Sequence, residues 1–385
     1  MIQATTLNWP NLIEFGAGKI KTLKDHLENS KRAFILVDPP IKPMVESLLN
    51  EISRTGVEFK ISTEVIPEPP INEIKKFFKP VNEFAPDTVV GIGGGSAMDM
   101  AKIIAVLFDG KQSVEDVIGI GNVSNRDVKL ITSSTTSGTG SEVTPIAVLT
   151  DTDAKLKKGI VSPFLVPDVA IIDPELSMTL PAPITAATGM DAMTHCIEAY
   201  TNKHAHPIID NLAIEGIRLI ASSLERACNN GNDLEARTAL ALGSLYGGMC
   251  LGPVNTAAVH ALAYPLGGEF KISHGVANSV LLPFVMQFNY ISSAKKYANV
   301  AKACGVKDTG DVEQMASLAV KKVREISNSC KIPSSIKELG IPENAITEMA
   351  KAAMKVTRLL DNNPREITLS DAGEIYRNAY DGVIK

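Results

Sequence analysis

DTVVGIGGG (87–95) runs straight into SAMDMAKIIAVLF (96–108), and this junction decides the fold. The first stretch is continuously apolar, without polar alternation, and ends in glycines. The second carries apolar residues at three- and four-residue steps, the period of a helix. A strand that is apolar on both faces belongs inside a parallel sheet covered on either side. The flanking sequence repeats the alternation. AFILVD (33–38), VEFKIS (57–62), VKLITSS (128–134) and DVAIID (168–173) read as strands, and PMVESLLNEI (43–52) and INEIKKFFKPVNEF (71–84) as helices. Strands separated by helices imply parallel pairing.

From about Thr185 the pattern changes. Ile209, Leu212, Ala213, Gly216, Ile217, Ile220 and Leu224 recur at helical steps, and 233–250, 257–266, 275–287, 294–304 and 311–328 read the same way. Prolines cluster in DPELSMTLPAP (173–183), which marks a boundary. The expected architecture is α/β plus all-α: a nucleotide-binding parallel-sheet domain over 1–180 and an all-helical domain over 181–385. A chain of 385 residues is long enough for two such cores.

Composition narrows the class. Hydrophobic residues make up 45% and charged residues 21%, with a formal net charge of −5. That balance gives no reason to expect nucleic acid or anionic lipid as a partner. No apolar run approaches the 18 or so residues that span a bilayer. The start, MIQATTLNWPNLIEFGAG, lacks the basic and apolar regions of a signal peptide. Cys196, Cys228, Cys250, Cys304 and Cys330 show no CxxC spacing, which suits reduced thiols. The expectation is a cytoplasmic protein.

Two glycine-rich turns stand out. Gly93-Gly94-Gly95-Ser96 joins strand to helix, and free N–H groups at such a helix start favour a pyrophosphate. Ser96 and Asp99 have the spacing of a capping box, and Asp99 is counted with the cofactor site. The segment departs from GxGxxG, so a plain strand-to-helix turn remains open. Thr135-Thr136-Ser137-Gly138-Thr139-Gly140-Ser141-Glu142 offers hydroxyls for phosphate and ribose, or is a solvated loop. Asp38 closes the first strong strand, where an acid accepts from an adenosine ribose; it is otherwise a turn residue.

Six histidines are present. Asp191 and His195 are four apart on a predicted helix and share a face, as the two histidines of HExxH do. Cys196 points about 100° away and is excluded. His260 lies on a helix that Gly267-Gly268 is expected to interrupt, and His274 opens the next helix beside Gly275, so both rings can aim at one point. One Asp and three His form an oxygen/nitrogen set suited to Fe²⁺, Zn²⁺, Mn²⁺ or Co²⁺. His204, His206 and His26 read as surface residues.

The motifs GGGSAMDMAK (93–102), TTSGTGSEVT (135–144), AIIDPELSMTLP (170–181), ATGMDAMTHCIEAY (187–200) and HALAYPLGGEFKISHGVANSVLLP (260–283) are similar, in order, to those of the iron-containing (group III) alcohol dehydrogenases. The resemblance covers essentially the whole chain. It implies a Rossmann-like N-terminal domain, a helical C-terminal domain, and a metal and NAD cleft between them. It implies that Asp191, His195, His260 and His274 are metal ligands, with Fe²⁺ favoured over Zn²⁺. Gly94, Gly95, Ser96, Thr135, Thr136, Thr139 and Lys157 match the family's dinucleotide contacts. His274, Tyr264 and Lys157 are expected to serve catalysis.

Two positions depart from the pattern. Glu68, in PEPP, stands where the family often has Asn, and Tyr264 stands where many members have a second His four residues after the third ligand. Tyr264 is expected to orient the nicotinamide ribose or a water chain, or else to pack against Pro265.

The implied reaction interconverts a small alcohol or diol and its aldehyde, with hydride passing to or from NAD and a divalent ion activating the substrate oxygen. Asp38 predicts NAD over NADP, since it would repel a 2′-phosphate. A homodimer or larger homo-oligomer is expected. One alternative is a metal- and NAD-using carbon–oxygen lyase similar to dehydroquinate synthase. It would want basic residues near the metal, and 185–200 and 257–280 hold only Lys271. The other is a non-catalytic NAD sensor, which a complete four-ligand set argues against.

Overall fold

The computed structural model describes residues 4–153 and 156–384. Its internal contacts divide the chain into a unit spanning Leu7–Thr179 and one built on Leu180–Lys385.

In the first unit, β1 (Leu12–Phe15), β2 (Arg32–Val37), β3 (Glu58–Ser62), β4 (Thr88–Gly93), β6 (Lys129–Ser134) and β9 (Val169–Ile172) form a sheet in the order β1-β9-β6-β4-β2-β3. Every pairing is parallel. The helices α1 (Leu23–Leu27), α2 (Lys42–Ile52), α3 (Ile71–Phe84), α4 (Gly95–Leu107) and α5 (Val114–Val117) complete the unit with a small sheet, order β5-β8-β7, of β5 (Gly119–Ile120), β7 (Ile146–Asp151) and β8 (Leu156–Val161).

The absence of alternation in the central strands has a direct cause. Phe34 and Leu36 of β2 pack into one apolar cluster with Ile74, Phe77 and Met100, while Ala33, Ile35 and Val37 pack into another with Val45, Leu49 and Ile92. Successive side chains of a strand point to opposite faces, so both faces are buried. Each such burial contributes about 1.5–3 kcal/mol. From β2 the chain moves to β3 on one side, then returns as β4 on the other. The strand order therefore reverses between the carboxyl ends of β2 and β4, where sheets of this kind leave a crevice for a ligand.

The second unit contains α6 (Ala182–Thr201), α7 (Pro207–Asn229), α8 (Leu234–Leu251), α9 (Ala258–Phe270), α10 (His274–Asn289), α11 (Ala294–Ala303), α12 (Val312–Ser329), α13 (Ile346–Ala353), α14 (Thr357–Leu360) and α15 (Leu369–Asp381). α6 is buried around its whole circumference from Thr185 onward apart from Thr188, and α7, α8, α9 and α10 all pack on it. A helix apolar on every side is a core helix. Its start is pinned by Arg237 of α8, itself buried, which donates to the Thr185 hydroxyl at 2.8 Å and the Leu180 carbonyl at 3.2 Å.

Gly267-Gly268 does not break its helix. α9 runs through both glycines to Phe270, and the chain turns at Lys271, which adopts φ 56°, with the Ile272 N–H on the Leu266 carbonyl. Tertiary packing overrides the weak helix propensity of glycine here. Gly275 then matters sterically: a Cβ there would lie 2.7 Å from the Ala187 carbonyl oxygen. Its absence lets α10 begin against the backbone of α6. Among the described residues, no helix is long and apolar enough to cross a membrane.

Candidate metal centre and dinucleotide turn

Three helices bring Asp191, His195, His260 and His274 together, with one ligand atom of each lying within 4.8 Å of all the others. Asp191 and His195 occupy one face of α6, a turn apart, while His260 comes from the first turn of α9 and His274 begins α10. The Nε2 atoms of His195, His260 and His274 lie 3.9, 3.7 and 3.8 Å from Asp191 Oδ1. These separations are too long for hydrogen bonds. They suit donors converging on one cation, since four ligands at about 2.1 Å in a tetrahedron are roughly 3.4 Å apart. The His260 Nε2 atom is buried and has no hydrogen-bond partner. A buried polar atom left this way calls for a ligand. The donor set and the orphaned nitrogen both fit a divalent transition metal.

The surroundings hold the donors in place. Glu198, one turn beyond His195, accepts from His260 Nδ1 and from the Val259 N–H, both at 2.6 Å. That fixes the ring so that Nε2 presents its lone pair to the cluster. Asn278, one turn beyond His274, donates to Asp191 Oδ1 at 2.7 Å and lies 3.1 Å from His274 Nε2. Burial opposes charge on Asp191, but the three imidazoles and Asn278 outweigh it and hold the carboxyl below its usual range. Burial takes His195 down to about 4, against the pull of Asp191, so the ring is neutral and its lone pair is available. Burial also works against a charge on His260, and Glu198 reverses that effect and raises its pKa. The side chains of Asp191, His195 and His260 are 3–5% exposed and that of His274 is 38% exposed, so the cluster opens on the His274 side.

Glu198 and Asn278 are absent from the sequence-based site, although the i,i+3 and i,i+4 spacing that joined Asp191 to His195 extends to both. Cys196 faces away from the cluster toward the Gly243 carbonyl, and burial pushes its thiol up to about 12. Tyr264 lies a turn along α9 from His260 and is partly buried. Burial raises its phenol pKa, and the Arg358 guanidinium opposes that rise. His206 caps α7 rather than lying free on the surface.

In the first unit, the predicted dinucleotide residues gather at the reversal between β2 and β4. Asp38 Oδ2 accepts from the Gly94 N–H at 2.6 Å. A Cβ on Gly93 would collide with that carboxylate and with Ala97, so glycine is required for the strand end and α4 to approach. Burial lifts the Asp38 pKa, and the Gly94 N–H opposes the rise. Ser96 and Asp99 do not form the expected capping box. Gly94 is the cap of α4 and makes no side-chain cap bond. Ser96 Oγ instead accepts from the Glu68 N–H at 3.0 Å, and Asp99 accepts from the Ser141 hydroxyl at 2.6 Å and the Val148 N–H at 2.9 Å. Loop-to-helix contacts of higher sequence separation have displaced the local motif.

Lys157 donates to Glu68 at 2.8 Å and to the Thr150 hydroxyl at 2.9 Å. Glu68 adopts φ 50°, a region that Asn tolerates better than Glu. Thr135 bonds through its N–H to the Gly93 carbonyl, joining the two turns. Thr139 lies directly over Gly95, where a Cβ would come within 2.7 Å of its methyl. The Thr136 hydroxyl is buried without a partner, as is one oxygen of Glu142 beneath the loop. A glycine cradle with an unmet hydroxyl fits a phosphate-bearing ligand.

Comparison with known proteins agrees. Residues 10–174 match the family model described as iron-containing alcohol dehydrogenase, and residues 185–380 match the C-terminal model of the same family. Long-chain-alcohol dehydrogenase 1 of Geobacillus thermodenitrificans (strain NG80-2) is 37% identical over 385 residues, covering 98% of this chain and 97% of that protein. The crystal structure of a 1,3-propanediol oxidoreductase superposes with a TM-score of 0.94 at 34% identity, covering 98% of this chain and 100% of the other. Sulfoacetaldehyde reductase from Bifidobacterium kashiwanohense, solved in complex with NAD⁺, superposes with a TM-score of 0.88 at 28% identity, covering 98% and 99%. The four-donor cluster, the glycine-rich turns and these matches along nearly the whole chain lead to one conclusion: the protein belongs to the iron-containing alcohol dehydrogenase family and is an alcohol–aldehyde oxidoreductase.

Proposed function

We propose that the protein interconverts a small primary alcohol or diol and its aldehyde with NAD(H), using a divalent cation, Fe²⁺ before Zn²⁺, held by Asp191, His195, His260 and His274. The observation that carries this reading is the convergence of those four donors with the His260 Nε2 lone pair unmet. The cation would supply Lewis acidity toward an alcohol hydroxyl or an aldehyde carbonyl. Glu198 keeps His260 in the ligating tautomer, and Asn278 holds the Asp191 carboxylate in register. The exposed edge of His274 marks the side from which a small substrate reaches the cluster.

NAD would carry the hydride. Gly94, Gly95 and Ser96 at the start of α4 would bind its pyrophosphate, aided by Thr135, Thr136 and Thr139. Asp38 would favour NAD over NADP, Asp99 would hold the two turns together from below, and Lys157 would meet the nicotinamide side. Tyr264 would orient the bound groups near His260. The reading includes division of labour between the units 1–180 and 181–385, assembly as a homodimer or larger homo-oligomer, and a cytoplasmic setting.

The test is metal removal. Chelation should abolish NADH oxidation by small aldehydes, and anaerobic Fe²⁺ should restore it with about one ion bound per chain on elemental analysis. Full turnover by a metal-free preparation overturns the reading.

A further inference from the structure

The wall of the metal-binding unit carries a cation that the local sequence around the ligands does not reveal. Arg358 lies on α14, a single turn that packs against α9. Leu359 and Leu360 anchor that turn by burial, and Asn362 just beyond it donates to the Thr256 carbonyl just before α9, at 2.8 Å. α14 is thereby fixed beside the helix that bears His260 and Tyr264. Arg358 itself is exposed. Its guanidinium lies beside the Tyr264 hydroxyl, and its charge reaches His260.

Several other arginines of this unit have protein partners. Arg218 pairs with Glu215, Arg226 pairs with Asp233 and Glu235, and Arg237 and Arg324 donate to backbone carbonyls. Among the described residues, Arg358 has no carboxylate partner. The nearby carboxylate, Glu198, is committed to His260 and the Val259 N–H. A planar fork of N–H donors, itself exposed and lying next to a partly buried hydroxyl near the donor cluster, matches a carboxylate or a similar oxyanion.

We propose that Arg358, with the Tyr264 hydroxyl, binds an anionic group at the far end of the substrate, so that the preferred aldehyde carries a carboxylate, sulfonate or phosphonate tail. This inference rests on the reading of the cluster as the reaction centre. The anion would orient the chain so that its carbonyl end faces the opening beside His274. Arg358 is then a specificity residue and takes no part in moving hydride or proton. Because the pair forms at an exposed site, its contribution is modest and weakens with added salt.

The experiment uses the Fe²⁺-loaded enzyme with NADH and two series of aldehydes of two to five carbons, one bearing a terminal carboxylate and one unsubstituted. At the best chain length, kcat/KM for the carboxylate series should exceed that for its neutral match by about ten-fold. Arg358→Met should erase the preference through KM, leaving kcat and the neutral series unchanged, and Arg358→Lys should restore part of it. A non-reacting dicarboxylate, followed by calorimetry, should bind the wild type and lose about ten-fold in affinity in Arg358→Met. Equal use of both series, or an equal loss on both in the variant, overturns the inference while leaving the dehydrogenase reading intact. Failure of every aldehyde in both series with Fe²⁺ bound would instead overturn the dehydrogenase reading.

Discussion

Around Asp191 the three imidazole Nε2 atoms stand 3.7–3.9 Å from its Oδ1, and His260 Nε2 has no protein partner. At the glycine turns most side chains are already engaged with the protein: Asp38 with Gly94, Ser96 with Glu68, Asp99 with Ser141 and Val148, and Lys157 with Glu68 and Thr150. The difference follows from what each site must bind. A small cation needs several lone pairs aimed at one point, and the protein cannot satisfy them internally without destroying the site. A pyrophosphate, the ligand proposed for the turns, takes its hydrogen bonds largely from backbone N–H groups, so on that proposal the side chains there would serve to shape the backbone. Substitution at the cluster should act as all or none, and substitution at the turns should be graded.

The largest effect tests the first half of that contrast. His195→Ala should lose bound metal and lower kcat/KM by about a thousand-fold or more, because a three-donor remnant holds a divalent ion weakly. Elemental analysis beside initial rates decides it, and retained metal with retained turnover would make the cluster an ordinary group of buried histidines. Glu198→Gln should come next. It keeps shape and size but weakens the hold on His260 Nδ1, so metal affinity should fall about ten- to a hundred-fold with little change in melting temperature. An unchanged affinity in competition with a chelator would reduce Glu198 to packing.

The smallest effect belongs to the turn. Glu142 is buried with one oxygen unmet, and burial lifts its pKa from 4.5 to about 7, with Lys102 opposing. A folded pKa above the unfolded one means that its stabilisation is fully present below pH 4.5 and is lost as pH rises through 7. Wild-type melting temperature should therefore fall between about pH 5 and 8 relative to Glu142→Gln, by a few degrees. Parallel pH profiles for the two proteins would show that Glu142 does not titrate in that range.

The parts legible from sequence share one property: their signal is local. β2 and β4 read correctly because both faces are buried, which leaves continuous apolar runs. β8, LKKGIV, carries two adjacent lysines, and the apolar run of its partner β7 is only the four residues Ile146–Leu149, so neither strand stands out in the sequence. Asp191 and His195 were legible from a four-residue spacing, and the same rule applied once more would have found Glu198 and Asn278. The supposed capping box at Ser96 failed because Glu68 and Ser141, distant in sequence, claim those side chains. Arg358 follows His260 by about a hundred residues, and no periodicity in the chain announces that α14 returns to α9.

The close approach of Gly275 to the Ala187 carbonyl has a consequence for how this protein can diversify. Where two helices meet backbone to backbone, there is little side-chain volume for mutation to vary, so their relative placement is inherited almost unchanged. A bulky residue at 275 would shift α10 at a cost of about 1–3 kcal/mol and carry His274 and Asn278 off target. Arg358, by contrast, projects from a one-turn helix held by two leucines and an asparagine, and is not itself one of the donors. Chemistry and selectivity thus sit on separable parts of one unit. A lineage could exchange the tail it recognises in a few mutational steps while the atoms that face the reacting carbon stay where they are.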